Sequence, residues 1–151
     1  MVTVNGLEPP SDSGLDAVCG TVLCIEDHPM HMAWIEELLK DFPGIRMLKA
    51  ATGRDGVQVA LAEKPDLILL DMYLPDIGGL EVVRELCEEI AVRRVAVILV
   101  TADSFSIEVI KAMSLGARDY WMKPLTMDKL RKDLPRALAR AQADRARSAL
   151  R

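Results

Sequence analysis

Residues 65–81, PDLILLDMYLPDIGGLE, constrain the fold more than any other part of this chain. They contain an uninterrupted aliphatic run, residues 67–70, that ends in Asp71 and is followed by a turn. A short aliphatic run without polar alternation predicts a β-strand that is buried on both faces of a sheet. An acid at the carboxyl end of such a strand lies where open α/β sheets place their functional groups. An Asp in that position can also simply start a turn, so Asp71 alone does not establish a site.

The chain after Gly20 alternates strand and helix patterns five times. Short connections between such βα units predict a doubly wound, parallel α/β sheet of the (βα)5 flavodoxin-like type, with strand order 2-1-3-4-5. In the second helix, Val57, Ala60 and Leu61 are expected to face the sheet. The predicted strands are residues 21–25, 45–50, 67–71, 96–101 and 119–122. The predicted helices are residues 29–42, 53–64, 80–90 and 106–115, and a fifth that begins near residue 126.

Length and composition predict a single domain with a real core, because 151 residues of which 50% are hydrophobic can bury one. We expect a flexible N-terminal lead-in over residues 1–19, the domain over residues 20–140, and an Ala/Arg-rich helical tail or linker remnant over residues 141–151. Pro135 is expected to kink the fifth helix or to mark its first turn. The tail is read as solvated, with a dimerisation or docking helix as the alternative.

The charge and the cysteines exclude several classes of protein. A net charge of −4 argues against a general nucleic-acid binder. No apolar run approaches the roughly 18 residues of a membrane span, and no signal peptide is visible, so we expect a cytoplasmic protein. Three cysteines without metal-ligand spacing suggest reduced thiols: Cys24 and Cys87 as buried hydrophobes, and Cys19 as an exposed thiol.

Polar residues follow four of the five predicted strands, and these positions meet at one edge of a parallel sheet. Glu26 and Asp27 follow the first strand, which neighbours the strand that ends in Asp71, so the three carboxylates should converge. Carboxylates this close repel one another unless a cation neutralises them, and Mg²⁺ with its preference for oxygen ligands is the simplest candidate. Thr101 ends the fourth strand and Lys123 follows the fifth. Such a set could stabilise a phosphoryl group on Asp71.

At these residues the chain resembles the receiver domains of two-component response regulators. The resemblance covers residues 20–140 and rests on five motifs in order: Glu26-Asp27, Asp71 with LPDIGGLE behind it, Thr101-Ala102, GARDY ending at Tyr120, and Lys123-Pro124. It implies that Asp71 is the phosphoacceptor of a phosphorelay and is phosphorylated by a histidine kinase or a histidine phosphotransfer protein. It also implies a signalling module that is not a turnover enzyme.

The resemblance further implies roles for individual residues. Asp27, Asp71 and the backbone carbonyl of Tyr73 would bind Mg²⁺ directly, and Glu26 would act through water. Thr101 and Tyr120 would form a switch pair that alters the surface of the fourth helix, fifth strand and fifth helix, through which a homodimer could form. The chain would be either a single-domain regulator or a receiver from a hybrid histidine kinase.

Two other functions stay open from the residues alone. A phosphatase with an aspartyl-phosphate intermediate would need a second carboxylate as general acid, and Asp76 is the nearby candidate. A flavin mononucleotide carrier shares the topology, but the two acids after the first strand would repel a phosphate. His28 and His31 are interpreted as surface histidines beside the acidic cluster, with a phosphoacceptor role as the alternative.

Overall fold

The computed structural model describes residues 10–149 and contains one five-stranded parallel sheet. The strand order is β2-β1-β3-β4-β5, as predicted. All residues of the two central strands β3 and β4 are buried, which explains why their sequences lack polar alternation. The strands are β1 (Cys19–Ile25), β2 (Gly44–Ala50), β3 (Leu67–Asp71), β4 (Ala96–Thr101) and β5 (Asp119–Met122).

The helices follow the predicted order, with one more at the start. The five predicted helices correspond to α2–α6, and the third of them ends as an α-helix earlier than predicted and is followed by a π-helical turn, Glu89–Arg93. The helices are α1 (Pro10–Ala17), α2 (Pro29–Leu39), α3 (Gly53–Glu63), α4 (Gly79–Glu85), α5 (Ile107–Ser114) and α6 (Met127–Ala149). None of the helices in residues 10–149 is long and apolar enough to cross a lipid bilayer.

Alternate residues of the strands build two hydrophobic cores, one on each face of the sheet. Cys24 and Leu69 point to the face that α2 and α6 cover, whereas Ile25 and Leu70 point to the face that α3, α4 and α5 cover. Trp121 is buried on the α2 and α6 side. Two filled faces hold the strands in one register and so fix the positions of the residues that follow them.

The inward face of α3 differs from the prediction. Leu61 is 44% exposed, whereas Val57 and Ala60 are buried as expected. The reason is that α3 approaches the sheet through glycines: a Cβ on Gly56 would lie 2.4 Å from Cδ1 of Ile25. The face that carries Gly56 is therefore turned toward β1, and Leu61 lies outside the contact.

The N-terminal lead-in is ordered over part of its length. Pro10–Ala17 forms α1 where the sequence predicted a flexible segment, because Leu15 is buried in the core beside α6 and β2. This burial stabilises a helix that its weak local pattern does not predict. Residues 1–9 of the predicted lead-in lie outside the described residues.

The C-terminal segment packs against the domain instead of extending into solvent. Helix α6 runs without interruption to Ala149, Pro135 lies inside it and not in its first turn, and Ala141 is fully buried. Beyond residue 140, the Gln142 side chain donates to the carbonyl of Cys19 at 2.8 Å, and Arg145 pairs with Asp66. The helical part of the prediction holds through Ala149, but these contacts make this segment part of the domain.

Candidate functional site

Three carboxylates converge at the carboxyl edge of the sheet. Glu26 and Asp27 follow β1, Asp71 ends β3, and the two strands pair directly, with Ile25 opposite Leu70. One carboxylate oxygen from each acid lies within 4.8 Å of the others. Glu26 is 3% exposed and Asp71 5% exposed, whereas Asp27 is open to solvent. The convergence that the sequence predicted is therefore present, with one side open for a ligand.

Lys123 is the cation that the cluster already contains. Its Nζ lies 3.1 Å from Oδ1 of Asp71 and 3.2 Å from Oε1 of Glu26. The backbone N–H of Lys123 donates to the carbonyl of Thr101 at 2.8 Å, which anchors the residue just after β5. One ammonium among three carboxylates leaves two negative charges, the charge that a divalent cation balances.

The pKa values of the two buried acids shift in opposite directions because the two carboxylates share one environment. Burial raises the pKa of Asp71, the negative charge of Glu26 raises it further, and together they outweigh the opposing effect of Lys123. Burial also opposes ionisation of Glu26, but the N–H of His28 and the charge of Lys123 outweigh it, so the pKa of Glu26 is lowered. Asp71 is thus the carboxyl whose ionisation this environment opposes, through burial first and the charge of Glu26 second.

Backbone groups fix the orientation of both acids. The N–H of Tyr73 donates to Oδ1 of Asp71 at 3.3 Å, and the N–H of His28 donates to Oε2 of Glu26 at 3.0 Å. Behind Asp71, Gly79 donates to the carbonyl of Met72, and a Cβ on Gly79 would lie 2.8 Å from Cα of Met72. Gly79, the second glycine of the motif, therefore has a packing role that the sequence did not reveal.

Thr101 ends β4, at the same edge of the sheet as the acids, and Tyr120 lies within the neighbouring strand β5. Thr101 is 1% exposed, and its hydroxyl donates to the carbonyl of Asp103 at 3.2 Å and accepts from the N–H of Asp103 at 3.1 Å. Tyr120 pairs with Leu99 and is 40% exposed. Thr101 is thus engaged in its own turn and Tyr120 is partly exposed, and their action as a switch pair stays a prediction.

Asp76 has a different role from the general acid considered for a phosphatase. Its carboxylate accepts from the N–H groups of Arg54 at 2.9 Å and Gly53 at 2.8 Å, in the first turn of α3. These backbone hydrogen bonds, that of Arg54 first, lower the pKa of Asp76 to about 2. A carboxylate held in this form has no proton to donate at neutral pH. It links the loop after β3 to α3, a long-range contact without a local sequence signal.

The two histidines lie on the surface beside the acids, as predicted. Their rings stack with centroids 4.3 Å apart, and Nδ1 of His31 lies 3.6 Å from Oε1 of Glu26. His28 uses Nδ1 to accept the N–H of Met30 at the start of α2. His28 therefore acts as a helix cap.

An apolar cleft of about 390 Å³ opens beside the carboxylates, between α2 and the segment after β5. Trp34 borders it, and its indole N–H donates to the carbonyl of Leu125 at 2.8 Å. Sequence reasoning missed this residue because its partner lies 91 positions away. The lining residues are Glu26, His31, Trp34, Ile35, Val100, Ala102, Lys123, Pro124 and Leu125.

The donor set fits a hard divalent cation. Every candidate ligand is an oxygen, the carboxylates are close enough to share one ion, and the surplus charge is two negative units. Mg²⁺ suits such a site because it keeps several waters and needs only a few protein oxygens. The fold and this cluster define a class of protein: an α/β module with an acidic pocket, suited to binding a cation, at the carboxyl edge of its sheet.

Comparisons with known proteins are consistent with this class. The model of the response regulator receiver domain family matches residues 22–135. The chain is 33% identical over 118 residues to protein PilH of Pseudomonas aeruginosa. This alignment covers 78% of this chain and 97% of PilH. It is 37% identical over 122 residues to the KDP operon regulatory protein KdpE of Escherichia coli, covering 81% of this chain but only 52% of KdpE.

Solved structures agree. One similar structure is the receiver domain of sensor histidine kinase PA1611 from Pseudomonas aeruginosa, which has a magnesium ion coordinated in its active-site cleft. It is 30% identical to this chain with a TM-score of 0.71, and the match covers 80% of this chain and 98% of that one. The signal receiver domain of a LuxO repressor from Vibrio parahaemolyticus is 27% identical with a TM-score of 0.71, over 83% and 95%.

The chain belongs to the response regulator receiver domain family. Receiver domains are signalling modules of two-component systems rather than turnover enzymes, and they interact in general with histidine kinases or phosphotransfer proteins. The chain spans about half the length of relatives such as KdpE and the nitrate/nitrite regulator NarL of Escherichia coli.

Proposed function

We propose that Asp71 accepts a phosphoryl group from a histidine kinase or a histidine phosphotransfer protein, so that this chain is a phosphoacceptor module of a two-component phosphorelay. The observation that supports this most strongly is the position of Asp71: it ends a buried strand, faces two further acids and contacts Lys123. A buried acid with a raised pKa and a cation within 3.1 Å is typical of a functional group, because structure alone gains little from that repulsion.

Asp27, Asp71 and the backbone carbonyl of Tyr73 would hold Mg²⁺ directly, and Glu26 would act through water. When bound, the ion would supply positive charge that offsets the negative charge on the transferring phosphoryl group. Asp27 is the most exposed of the acids, so it offers the open approach, whereas Glu26 and Asp71 are held in place by backbone N–H groups.

In the transfer itself, an Asp71 oxygen forms a bond to phosphorus while the bond from phosphorus to the donor imidazole nitrogen breaks. The electron pair stays on the imidazole, so no further reactant is required. Lys123, already 3.1 Å from Asp71, would pair with a phosphoryl oxygen. The Thr101 hydroxyl would exchange its hydrogen bond to the carbonyl of Asp103 for one to the phosphoryl group.

The movement of Thr101 would then alter a surface at the β5 edge of the sheet. Space vacated by Thr101 would be filled by Tyr120, which is 40% exposed here. The surface built by α5, β5 and α6 is rich in exposed apolar side chains, which supports its role in partner binding or homodimer formation. These side chains are Phe105, Ile107, Ile110, Tyr120 and Met122.

The test is phosphorylation of the full chain by acetyl phosphate with Mg²⁺, followed by intact mass measurement. We expect a gain of about 80 Da, the mass that one phosphoryl group adds. Asp71→Asn should abolish the gain. Asp76→Asn is the matched control, because Asp76 lies in the loop after Asp71 but its carboxylate accepts backbone N–H groups of α3 and does not join the acidic cluster. An unmodified wild-type mass, or equal modification of Asp71→Asn, would refute the proposal.

A further inference from the structure

A second charged site lies at the opposite end of the sheet from Asp71. Arg118 immediately precedes β5 and is tied to the sheet by its N–H, which donates to the carbonyl of Val97 at 2.7 Å. Three more arginines surround it: Arg94 after the π-helical turn, and Arg136 and Arg140 on α6. We call these four residues the arginine cluster.

The arginine cluster lines two cavities that share Arg118 and Arg140. The larger, of about 370 Å³, also contains Arg94 and the apolar residues Ile90 and Leu115. The smaller, of about 210 Å³, also contains Arg136 and Trp121. The volume of the larger cavity is in the range of pockets that hold small ligands.

Two buried donors in these walls lack acceptors. Within residues 10–149, neither Nη1 of Arg118 nor Nε1 of Trp121 has a hydrogen-bond partner, and Trp121 is only 2% exposed. Buried polar atoms without partners are rare in folded proteins. Guanidinium and indole N–H groups can only donate, so a partner for either of them must be an acceptor.

The charge balance of the cluster also favours an anion. Asp144 pairs with Arg118 at 3.2 Å, and Asp133 in the smaller cavity pairs with Lys129. Asp119, the other acid of the smaller cavity, accepts the N–H of Tyr120, so four arginines and three acids line the two cavities together. Burial lowers the pKa of Arg118, and the charges of Arg140 and Arg94 lower it further, against the opposing effect of Asp144. A bound anion would relieve this repulsion.

We propose that the arginine cluster binds a small polyphosphate anion, either inorganic polyphosphate or the phosphate chain of a nucleotide. Arginine suits phosphate because its planar fork donates two hydrogen bonds in parallel. The two cavities on either side of Arg118 and Arg140 accommodate more than one phosphate group. The apolar wall of the larger cavity, formed by Ile90 and Leu115, could contact a base. The site is separate from Asp71 and does not depend on its phosphorylation.

The test is a titration of the full chain, in metal-free buffer, followed by the indole N–H signals in nitrogen-resolved NMR spectra. The chain has two tryptophans, Trp34 and Trp121, so Trp34→Phe assigns both signals. We expect tripolyphosphate to shift the Trp121 signal saturably and to leave that of Trp34, at the other end of the sheet, unchanged. ATP is the second probe: equal affinity would assign recognition to the phosphates alone, and tighter binding would assign a nucleotide as the ligand.

Variants locate the site. Arg140→Gln should weaken binding by about tenfold or more, the value of one charge-assisted hydrogen bond, and Arg118→Gln should do the same. Arg46→Gln is the matched control, because Arg46 is an exposed arginine on β2 that pairs with Glu63. Asp71→Asn should bind like the wild type. Absence of a saturable Trp121 shift with both probes, or equal weakening by Arg46→Gln and Arg140→Gln, would overturn the proposal.

Discussion

Replacing Lys123 with Met tests the electrostatic account of the acidic cluster most directly. The change removes the ammonium that lies 3.1 Å from Asp71 and 3.2 Å from Glu26, and it keeps an unbranched side chain of similar length. Both carboxylates are at least 95% buried, so water replaces the lost partner only in part. Leaving buried charges without their partner costs about 3–5 kcal/mol.

We therefore expect the free energy of unfolding of Lys123→Met to fall by about 3–5 kcal/mol at neutral pH without metal. Urea unfolding in chelator measures this directly. In thermal unfolding the same loss corresponds to roughly 10 °C, because a domain of this size loses about 2–4 °C per kcal/mol. Lys40→Met is the matched control: Lys40 pairs with Glu37 on the surface, so its removal should leave the urea midpoint close to that of the wild type.

The pH dependence has a definite sign. The pKa of Asp71 in the folded state lies above its ordinary value, so the ionised carboxylate destabilises the fold as the pH rises through that folded pKa. At a pH below that folded pKa, Asp71 is protonated and the repulsion disappears. The deficit of Lys123→Met should therefore shrink on acidification. Asp76, with its pKa lowered to about 2, is protonated only near that pH, and this affects the wild type and Lys123→Met equally.

Mg²⁺ should also reduce the deficit, because a cation bound only to the folded state stabilises it. The gain is about 2.7 kcal/mol at one hundred times the dissociation constant. The loss should be smaller in an Asp71→Asn background, where one of the two buried charges is absent. A deficit that stays the same across pH, with and without Mg²⁺, and in the Asp71→Asn background would refute the reasoning, since loss of packing alone behaves in that way.

Three further perturbations test the rest of the fold. Ending the chain after Arg140 should lower the free energy of unfolding by about 2–4 kcal/mol in urea, since it removes a buried residue and the ion pair of Asp66; an unchanged midpoint would mean that the tail is solvated. Gly79→Ala should cost about 1–3 kcal/mol by overpacking against Met72 and should slow phosphorylation by acetyl phosphate; wild-type values for both would contradict the close packing. Asp76→Ala should lower the thermal midpoint at neutral pH, and this difference should disappear as the pH approaches 2; a difference that persists there would argue against a role for the carboxylate charge.

Sequence patterns predicted the sheet well because its strands are short and unambiguous. The residues of β3 and β4 are aliphatic throughout, and the structure places both strands at the predicted bounds. The convergence of Glu26, Asp27 and Asp71 followed from the same argument, because parallel strands end at one edge. The start of α3 depends only on residues close in the chain, because the hydroxyl of Thr52 accepts the N–H of Asp55.

Contacts between distant segments could not be predicted in this way. The burial of Leu15 depends on α6, more than a hundred residues later, so residues 10–17 read as a flexible segment although they form α1. Leu61 has a suitable spacing for the core, but the approach of Gly56 to Ile25 decides which face of α3 is inside. The roles of Asp76 and Trp34 depend equally on partners that no local pattern identifies.

Helix α6 connects the two charged sites of the domain. Its first turn follows Lys123 and Leu125, which border the acidic cluster and the apolar cleft beside it. Its later turns carry Arg136 and Arg140 of the arginine cluster, and beyond them Arg145 pairs with Asp66 below β3. Because Leu130, Leu134 and Leu138 are fully or almost fully buried, the helix cannot shift at one end without disturbing the core that it shares with the other. The arginine cluster and the segment after Lys123 are therefore both positioned by one shared core, which includes Leu125 and the buried leucines of α6.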